Sequence, residues 1–145
     1  MKIKQAKKGD LREIAKLMLE EFRKPPFNEK ASINAVLKSL NFYFKIGEIN
    51  VAIIDNKIVG VIIFKIEQYW EGSVIIIEDL TVKEEFKKQG IRKILIDYVE
   101  SYAKKNKLKR ILFKTHGKSS AVKFYQKQGY KIRKEFISME KKIKR

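Results

Sequence analysis

A lysine-rich loop between a strand and a helix is the most informative feature of this sequence. Residues 78–95 read EDLTVKEEFKKQGIRKIL, and a β-rich run there passes into a helical pattern. The first N–H groups of a helix lack carbonyl partners and carry partial positive charge, so they attract anions. The cationic side chains of Lys87, Lys88, Arg92 and Lys93 add full charges beside them. The combination predicts a phosphate-binding loop.

A second segment, residues 119–130, supplies the other half of a recognisable pattern. It reads SSAVKFYQKQGY and contains Ala121, Tyr125, Gly129 and Tyr130. The first segment carries the frame Lys87, Lys88, Gln89, Gly90, Ile91 and Arg92. Together, the two segments resemble the motifs of the GNAT superfamily of acetyl-CoA-dependent N-acetyltransferases, and the resemblance covers most of the chain.

The resemblance implies acetyl-CoA as the cosubstrate. Backbone groups at the end of the central strand would bind the pantetheine arm, and the lysine-rich loop would hold the pyrophosphate. The implied coenzyme-binding residues are Leu80, Thr81, Val82, Lys87, Lys88, Gln89, Gly90, Ile91, Arg92, Lys93, Ala121 and Phe124. Two positions depart from the family pattern, because Arg92 replaces a small residue and Lys118 an asparagine. We expect the Arg92 guanidinium to turn outward and meet a phosphate.

Acetyl transfer to an amine needs a base for the ammonium proton and an acid for the departing thiolate. Tyr125 matches the family's tyrosine and is the predicted acid, although a core position beside Phe124 is the alternative. Glu78 matches a carboxylate that some relatives use as the base, and Asp79 is its rival. Strict alternation along a strand would place these two on opposite faces, unless a bulge intervenes. His116, the only histidine, is a third candidate base because imidazole titrates near neutral pH.

Composition excludes several classes of site. The 145 residues include 34 Lys and Arg against 17 Asp and Glu, for a net charge of +17, and no cysteine. The charge attracts any polyanion, including coenzyme A and nucleic acid. Without cysteine there is no disulfide, thiolate metal site or cysteine nucleophile, and we expect no metal. No apolar run has the length of a signal peptide or membrane span, so we expect a cytoplasmic protein without a membrane partner. A monomer and a homodimer are equally compatible with the sequence.

Hydrophobic periodicity predicts the elements that position these residues. The predicted strands cover residues 3–6, 49–54, 58–66, 73–82 and 110–115, with one or two closing strands over 130–143. The predicted helices cover residues 11–22, 32–44, 91–106 and 119–128. Asp55, Asn56 and Lys57 form a tight hairpin turn, and Asp10 caps the first helix. Antiparallel strands followed by a strand–helix–strand crossover predict a mixed sheet layered with helices.

We therefore expect a single domain over residues 1–145 of the α+β class. Its central sheet should be mixed and mostly antiparallel, with about six to seven strands and about four flanking helices. The family resemblance implies that this sheet splays between the strand ending at Val82 and the strand ending at Thr115, with acyl-CoA held in the gap.

The expected activity is direct transfer of an acetyl group from acetyl-CoA to a primary amine in a ternary complex. A protein or peptide amine is slightly favoured over a small molecule. The reason is that a basic protein repels polyamines unless acidic residues line its pocket, the candidates being Glu48, Glu67, Glu71 and Glu78. The alternatives are a basic nucleic-acid-binding module, which no binding motif supports, and a GNAT-like sensor that binds coenzyme A without turnover.

Overall fold

The computed structural model describes residues 1–144 as two compact units, Met1–Lys114 and a shorter unit that begins at Thr115. The strands are β1 (Lys2–Gln5), β2 (Glu48–Ile54), β3 (Lys57–Tyr69), β4 (Gly72–Val82) and β5 (Ile111–Phe113). The α-helices are α1 (Leu11–Phe22), α2 (Ile33–Ile46), α3 (Ile91–Lys105) and α4 (Ala121–Lys127). A 3₁₀ helix (Glu84–Gln89) precedes α3.

The first unit is built on a five-stranded sheet in which the strands follow one another in chain order. β1 to β4 pair antiparallel. Asp55 and Asn56 connect β2 to β3 with φ angles of 48° and 62°, as a two-residue hairpin with a right-handed strand twist requires. Trp70 and Glu71 form the tip of the next hairpin, where Tyr69 pairs with Gly72. The hairpin turn predicted at Asp55 and Asn56 is confirmed.

β5 joins the sheet parallel to β4, after the α3 crossover. The register pairs Ile75 with Ile111 and ends at Ile77 with Phe113. β4 continues to Val82, whereas β5 ends at Phe113. Within the described part of the first unit, the sheet is therefore open beside β4 from Glu78 onward. The opening lies beside the strand ending at Val82, where the family resemblance implied a splay, and the binding of acyl-CoA there stays a prediction.

Helices cover both faces of the sheet. α1 and α2 form one core with Ile49, Val51, Ile58, Val61 and Ile63. α3 covers the other face, where Gly60 leaves room for Ile91 and Leu95: a Cβ atom at Gly60 would lie 3.2 Å from each. Ser32 caps α2, its hydroxyl accepting a hydrogen bond from the Ala35 N–H at 3.1 Å. The mixed α+β architecture with four α-helices agrees with the prediction.

The second unit contains α4 and a C-terminal segment. Gly129 ends α4 with φ of +95°, and the Tyr130 N–H donates to the Tyr125 carbonyl at 3.0 Å, as expected for a glycine C-cap. The closing strands predicted over residues 130–143 are wrong, because residues 130–144 form no strand. A turn at Arg133 interrupts the extended pattern, since the Phe136 N–H donates to the Arg133 carbonyl at 3.3 Å. The sheet therefore has five strands rather than six or seven.

Candidate active site

A β-bulge places two carboxylates on the same face of the sheet. Across β3 and β4, Ile63 pairs with Asp79 while Phe64 pairs with Ile77, so Glu78 is the additional residue. Asp79 shares the face of its partner Ile63, which belongs to the core covered by α1 and α2. Glu78 faces the same side, where it meets Tyr43 of α2. The bulge therefore overrides the alternation that would have separated Glu78 from Asp79.

Asp79 is the most perturbed acid of this site. Burial raises the pKa of its carboxyl from 3.8 to about 6, although hydrogen bonds from Thr81 and the Leu80 backbone act in the opposite direction. The Thr81 hydroxyl donates to Asp79 Oδ1 at 2.6 Å. Among residues 1–144, no lysine or arginine nitrogen lies within ion-pair distance of this carboxylate. A carboxylate with a pKa near 6 is ionised at neutral pH and binds a proton more strongly than an ordinary aspartate.

Glu78, by contrast, is engaged in an ion pair. Its Oε1 lies 3.2 Å from Lys65 Nζ, which also lies 3.3 Å from Glu67 Oε1. The hydrogen bond to Glu78 raises the pKa of Lys65, against the effect of burial. Burial and the negative charge and hydrogen bond of Glu78 likewise raise the pKa of Tyr43. Sequence reasoning missed Lys65 and Tyr43, because only the fold brings β3, β4 and α2 together.

The end of β4 presents backbone to the opening in the sheet. Leu80, Thr81 and Val82 pair with β3 along one edge. Their other edge lies beyond the last β4–β5 pair. Alternate residues of a strand direct their N–H and C=O groups to opposite edges. Backbone donors and acceptors of this segment are therefore directed into the opening, next to Asp79.

The predicted phosphate loop runs through the 3₁₀ helix into α3. Gly90 adopts a left-handed conformation with φ of +75°, and a Cβ atom there would meet nothing within 4 Å. The first hydrogen bond of α3 runs from the Ile94 N–H to the Gly90 carbonyl at 3.1 Å, so the amides of residues 91–93 precede it. Open space beside Gly90, directly before these amides in the chain, suits an anion.

The side chains of this loop differ in what they contact. Lys88 and Gln89 are exposed, Ile91 is buried in the core, and Arg92 is half-buried. Lys93 pairs with Asp97 of the next helical turn at 2.8 Å. Lys87 contacts Glu21 of α1 at 2.6 Å and Glu84 at 2.8 Å. Of the three lysines, Lys88 is therefore the one most available to a ligand, and the phosphate-binding roles of all these residues stay predictions.

The second unit holds the remaining predicted residues. Tyr125 is 9% exposed, and its ring makes edge contacts with Phe124 at 5.2 Å and with Tyr130 at 6.0 Å between centroids. Ala121 is also buried. His116 is exposed, and its Nδ1 accepts a hydrogen bond from the Lys118 N–H at 3.1 Å. The catalytic role of Tyr125 and the coenzyme contacts of Ala121 and Phe124 stay predictions.

Among residues 1–144, no group of three or more histidine, cysteine, aspartate or glutamate side chains is arranged to hold a metal ion. No helix in this part of the chain combines the length and apolar character of a membrane span.

Most of the chain matches a known protein family. Residues 11–130 match the model of the Acetyltransferase (GNAT) family. The chain belongs to this family. It is therefore a GNAT acetyltransferase, an enzyme of the acyltransferase class, and members of the family act on acetyl-CoA and an amine. The resemblance drawn from the two sequence motifs is confirmed.

Solved structures of similar fold include several acetyltransferases. A possible acetyltransferase from Clostridium difficile 630 has a TM-score of 0.85 at 17% identity, covering 99% of this chain and 98% of that one. An aminoglycoside acetyltransferase from an uncultured soil metagenomic sample, in complex with sisomicin, has a TM-score of 0.76 at 20% identity, with coverage of 99% and 96%. An aminoglycoside 6'-N-acetyltransferase from Acinetobacter haemolyticus has a TM-score of 0.79 at 18% identity, with coverage of 99% and 100%. No curated protein matches the sequence.

Proposed function

We propose that this GNAT enzyme transfers an acetyl group from acetyl-CoA to the primary amine of a small cationic molecule, directly and within a ternary complex. The observation that carries the proposal is the opening of the sheet beside residues 78–82. The end of β4, whose outer edge lies beyond the last β4–β5 pair, borders that opening together with two neighbouring carboxylates. Most of the rate would come from holding the amine against the thioester.

The residues present fit acetyl-CoA as a substrate. The backbone of Leu80, Thr81 and Val82 would bind the pantetheine arm and donate to the thioester oxygen. The left-handed Gly90 and the first amides of α3 would receive the pyrophosphate. Lys88 would add a full positive charge at that position.

Asp79 is the proposed base, in preference to Glu78. The amine must lose a proton before it can attack the thioester carbon, and a base with a pKa of about 6 takes up a proton at neutral pH more readily than an ordinary carboxylate. Glu78 is less suited to this role because Lys65 neutralises it at 3.2 Å. We assign Glu78 instead to orienting Lys65 and Tyr43 on the acceptor side of the site.

The reaction then balances without a further reactant. The neutral amine attacks the carbonyl carbon, a C–N bond forms, and the C–S bond of the thioester breaks. The coenzyme A thiolate leaves with the electron pair of that bond and takes a proton, which we propose comes from the Tyr125 hydroxyl. Asp79 keeps the proton from the ammonium until it exchanges with solvent.

A small cationic acceptor is supported by acidic side chains on β3 and β4. Glu67, Glu78 and Asp79 lie on or near β4 in a chain with a net charge of +17, so this acidic group is a local exception. Lys65 already bridges two of these carboxylates, and an acceptor ammonium would meet the same groups. Two of the similar structures are aminoglycoside acetyltransferases, which supports a small molecule over the protein or peptide amine that the sequence slightly favoured.

The acceptor class can be tested by comparing kcat/KM for a multiply charged aminoglycoside-type amine and for a lysine-containing peptide, with acetylated products identified by mass spectrometry. The small cation should be the better substrate. Glu67→Gln should raise KM for it by about three- to tenfold, as expected for loss of one charge contact. Glu71→Gln is the matched control, because Glu71 pairs with Arg110, and should leave that KM unchanged. A faster reaction with the peptide would contradict the proposed acceptor.

A further inference from the structure

A buried glutamate on α1 interrupts an otherwise apolar face. Glu21 is 8% exposed, and it lies one or two helical turns after the core residues Ile14, Leu17 and Met18. A carboxylate buried in this way is costly unless cations compensate it. The cations that contact Glu21 therefore indicate its role.

Both oxygens of Glu21 contact lysines. Oε1 lies 2.6 Å from Lys87 Nζ, and Oε2 lies 2.9 Å from Lys24 Nζ. Lys87 comes from the 3₁₀ helix (Glu84–Gln89) and contacts Glu84 as well, at 2.8 Å. Burial lowers the pKa of Lys87, but the hydrogen bonds to Glu21 and Glu84 outweigh burial and raise it. The ammonium is thus held in its charged form.

The two acidic partners of Lys87 are not equivalent. The Glu21 side chain is 9% exposed and the Glu84 side chain 58% exposed. An exposed carboxylate is screened by water and leaves its partner easily, whereas a buried one has no alternative ligand in solvent. Lys87 can therefore give up Glu84 at little cost, whereas giving up Glu21 would leave that buried carboxylate paired with Lys24 alone among the described residues.

The Glu21–Lys87 contact helps to position the 3₁₀ helix. None of the residues of this helix is buried, and Phe86 is its one half-buried apolar side chain. The Lys83 N–H bonds to the Val59 carbonyl at 2.8 Å just before it, and Gly90 at its end is conformationally free. The Glu21–Lys87 pair joins this exposed turn to the core helix α1.

We propose that Glu21 is a positioning residue for coenzyme binding: it holds Lys87 at the phosphate loop, where Lys87 exchanges its exposed partner Glu84 for a pyrophosphate oxygen of acetyl-CoA while keeping Glu21. The proposal rests on the proposed function. It assigns Glu21 and Glu84 opposite effects on coenzyme affinity, although both are acidic and both contact the same lysine.

The test is to measure acetyl-CoA affinity by calorimetry for Glu21→Gln and Glu84→Gln. A purely electrostatic account predicts that removing either negative charge strengthens the binding of an anion. We expect instead that Glu21→Gln weakens binding about tenfold because Lys87 loses its anchor, and that Glu84→Gln strengthens it about two- to fivefold because the competitor is gone. Glu20→Gln, the same change at an exposed neighbour, is the matched control and should not weaken binding.

Affinities that rise in both variants, or a Glu21→Gln variant that binds like its control, would overturn the proposal. If a thermal melt shows that Glu21→Gln does not fold, the proposal is tested in the Lys87→Gln variant instead. Lys87→Gln should weaken binding, and in that background Glu84→Gln should no longer strengthen it. An equal gain from Glu84→Gln with and without Lys87 would refute the exchange.

A second substrate separates this proposal from the proposed function. Acetyl-pantetheine lacks the pyrophosphate, so Glu21→Gln should raise KM for acetyl-CoA and leave KM for acetyl-pantetheine unchanged. A parent protein that binds no acetyl-CoA would contradict the proposed function itself. Parent binding together with an equal rise of both KM values would contradict only the role of Glu21.

Discussion

Replacing Asp79 by asparagine should make the protein more stable and less active at the same time. Asparagine has the shape of aspartate, and its carbonyl can still accept the Thr81 hydroxyl hydrogen bond that Asp79 Oδ1 accepts at 2.6 Å. The substitution removes the negative charge and replaces one acceptor oxygen by an NH₂ donor. It therefore tests chiefly what the ionised carboxylate costs the fold and what it contributes to the reaction.

The size of the stability effect follows from the pKa of Asp79. Because burial raises this pKa from 3.8 to about 6, the folded chain binds the proton more tightly than the unfolded chain. The protonated carboxyl thus contributes stability that is fully present below about pH 4 and is lost as pH rises through about 6. Each pKa unit is worth about 1.4 kcal/mol, so the loss approaches about 3 kcal/mol at pH 8.

Thermal melts of the parent and Asp79→Asn at a series of pH values measure this directly. Domains of this size gain roughly 3 °C per kcal/mol, so the variant should melt about 9 °C higher at pH 8 and at nearly the same temperature as the parent near pH 4. Turnover at pH 7 should fall by about a hundred- to ten-thousandfold, the range for a missing general base.

Glu78→Gln is the matched control for this experiment. It neutralises the adjacent carboxylate but breaks an ion pair with Lys65 in which the side chains are 25% and 26% exposed. Pairs of this kind contribute about 1 kcal/mol or less, so Glu78→Gln should be slightly destabilising at pH 8. The reasoning about Asp79 is refuted if Asp79→Asn is no more stable than the parent at pH 8, or if it retains full turnover.

Three further substitutions test the remaining site residues. Tyr125→Phe should lower turnover by roughly ten- to a thousandfold and leave acetyl-CoA affinity unchanged; equal turnover would mean that water protonates the thiolate. His116→Ala should keep the acidic limb of the pH–rate profile, and losing that limb would make His116 the base. Arg92→Gly should weaken acetyl-CoA binding by about three- to thirtyfold if the guanidinium meets a phosphate, whereas tighter binding would identify Arg92 as an obstruction.

The antiparallel core of the fold was predictable from local signals. Asp55 and Asn56 between two β-branched runs specify a hairpin, and the strands on either side alternate or remain apolar as a buried sheet requires. The prediction of C-terminal strands was wrong for a physical reason. Alternation of apolar and polar residues shows that a segment can be extended, but it does not show that a neighbouring strand is available to pair its backbone groups. Exposed Ile132 and Phe136 belong to such an unpaired segment.

The candidate site was predictable only in part. The glycine of the phosphate loop was predictable from the family frame at residues 87–92, and the structure gives Gly90 the positive φ angle that glycine adopts readily. The relative placement of Glu78 and Asp79 was not, since the bulge that brings them to one face depends on pairing with β3. Glu21 could have been noticed in the sequence, because it is a charged residue in the apolar stripe of a helix. Its partner Lys87 could not have been predicted, because three strands of the sheet separate the two residues along the chain.

The most direct test of the central claim is the release of free coenzyme A thiol from acetyl-CoA, with and without an amine acceptor. The full chain contains no cysteine, so a thiol reagent reports only the product. The account predicts thiol release that depends on the amine, matches the amount of acetylated amine formed, and is greatly reduced in Asp79→Asn. Thiol release no faster than spontaneous hydrolysis with every primary amine supplied would contradict it.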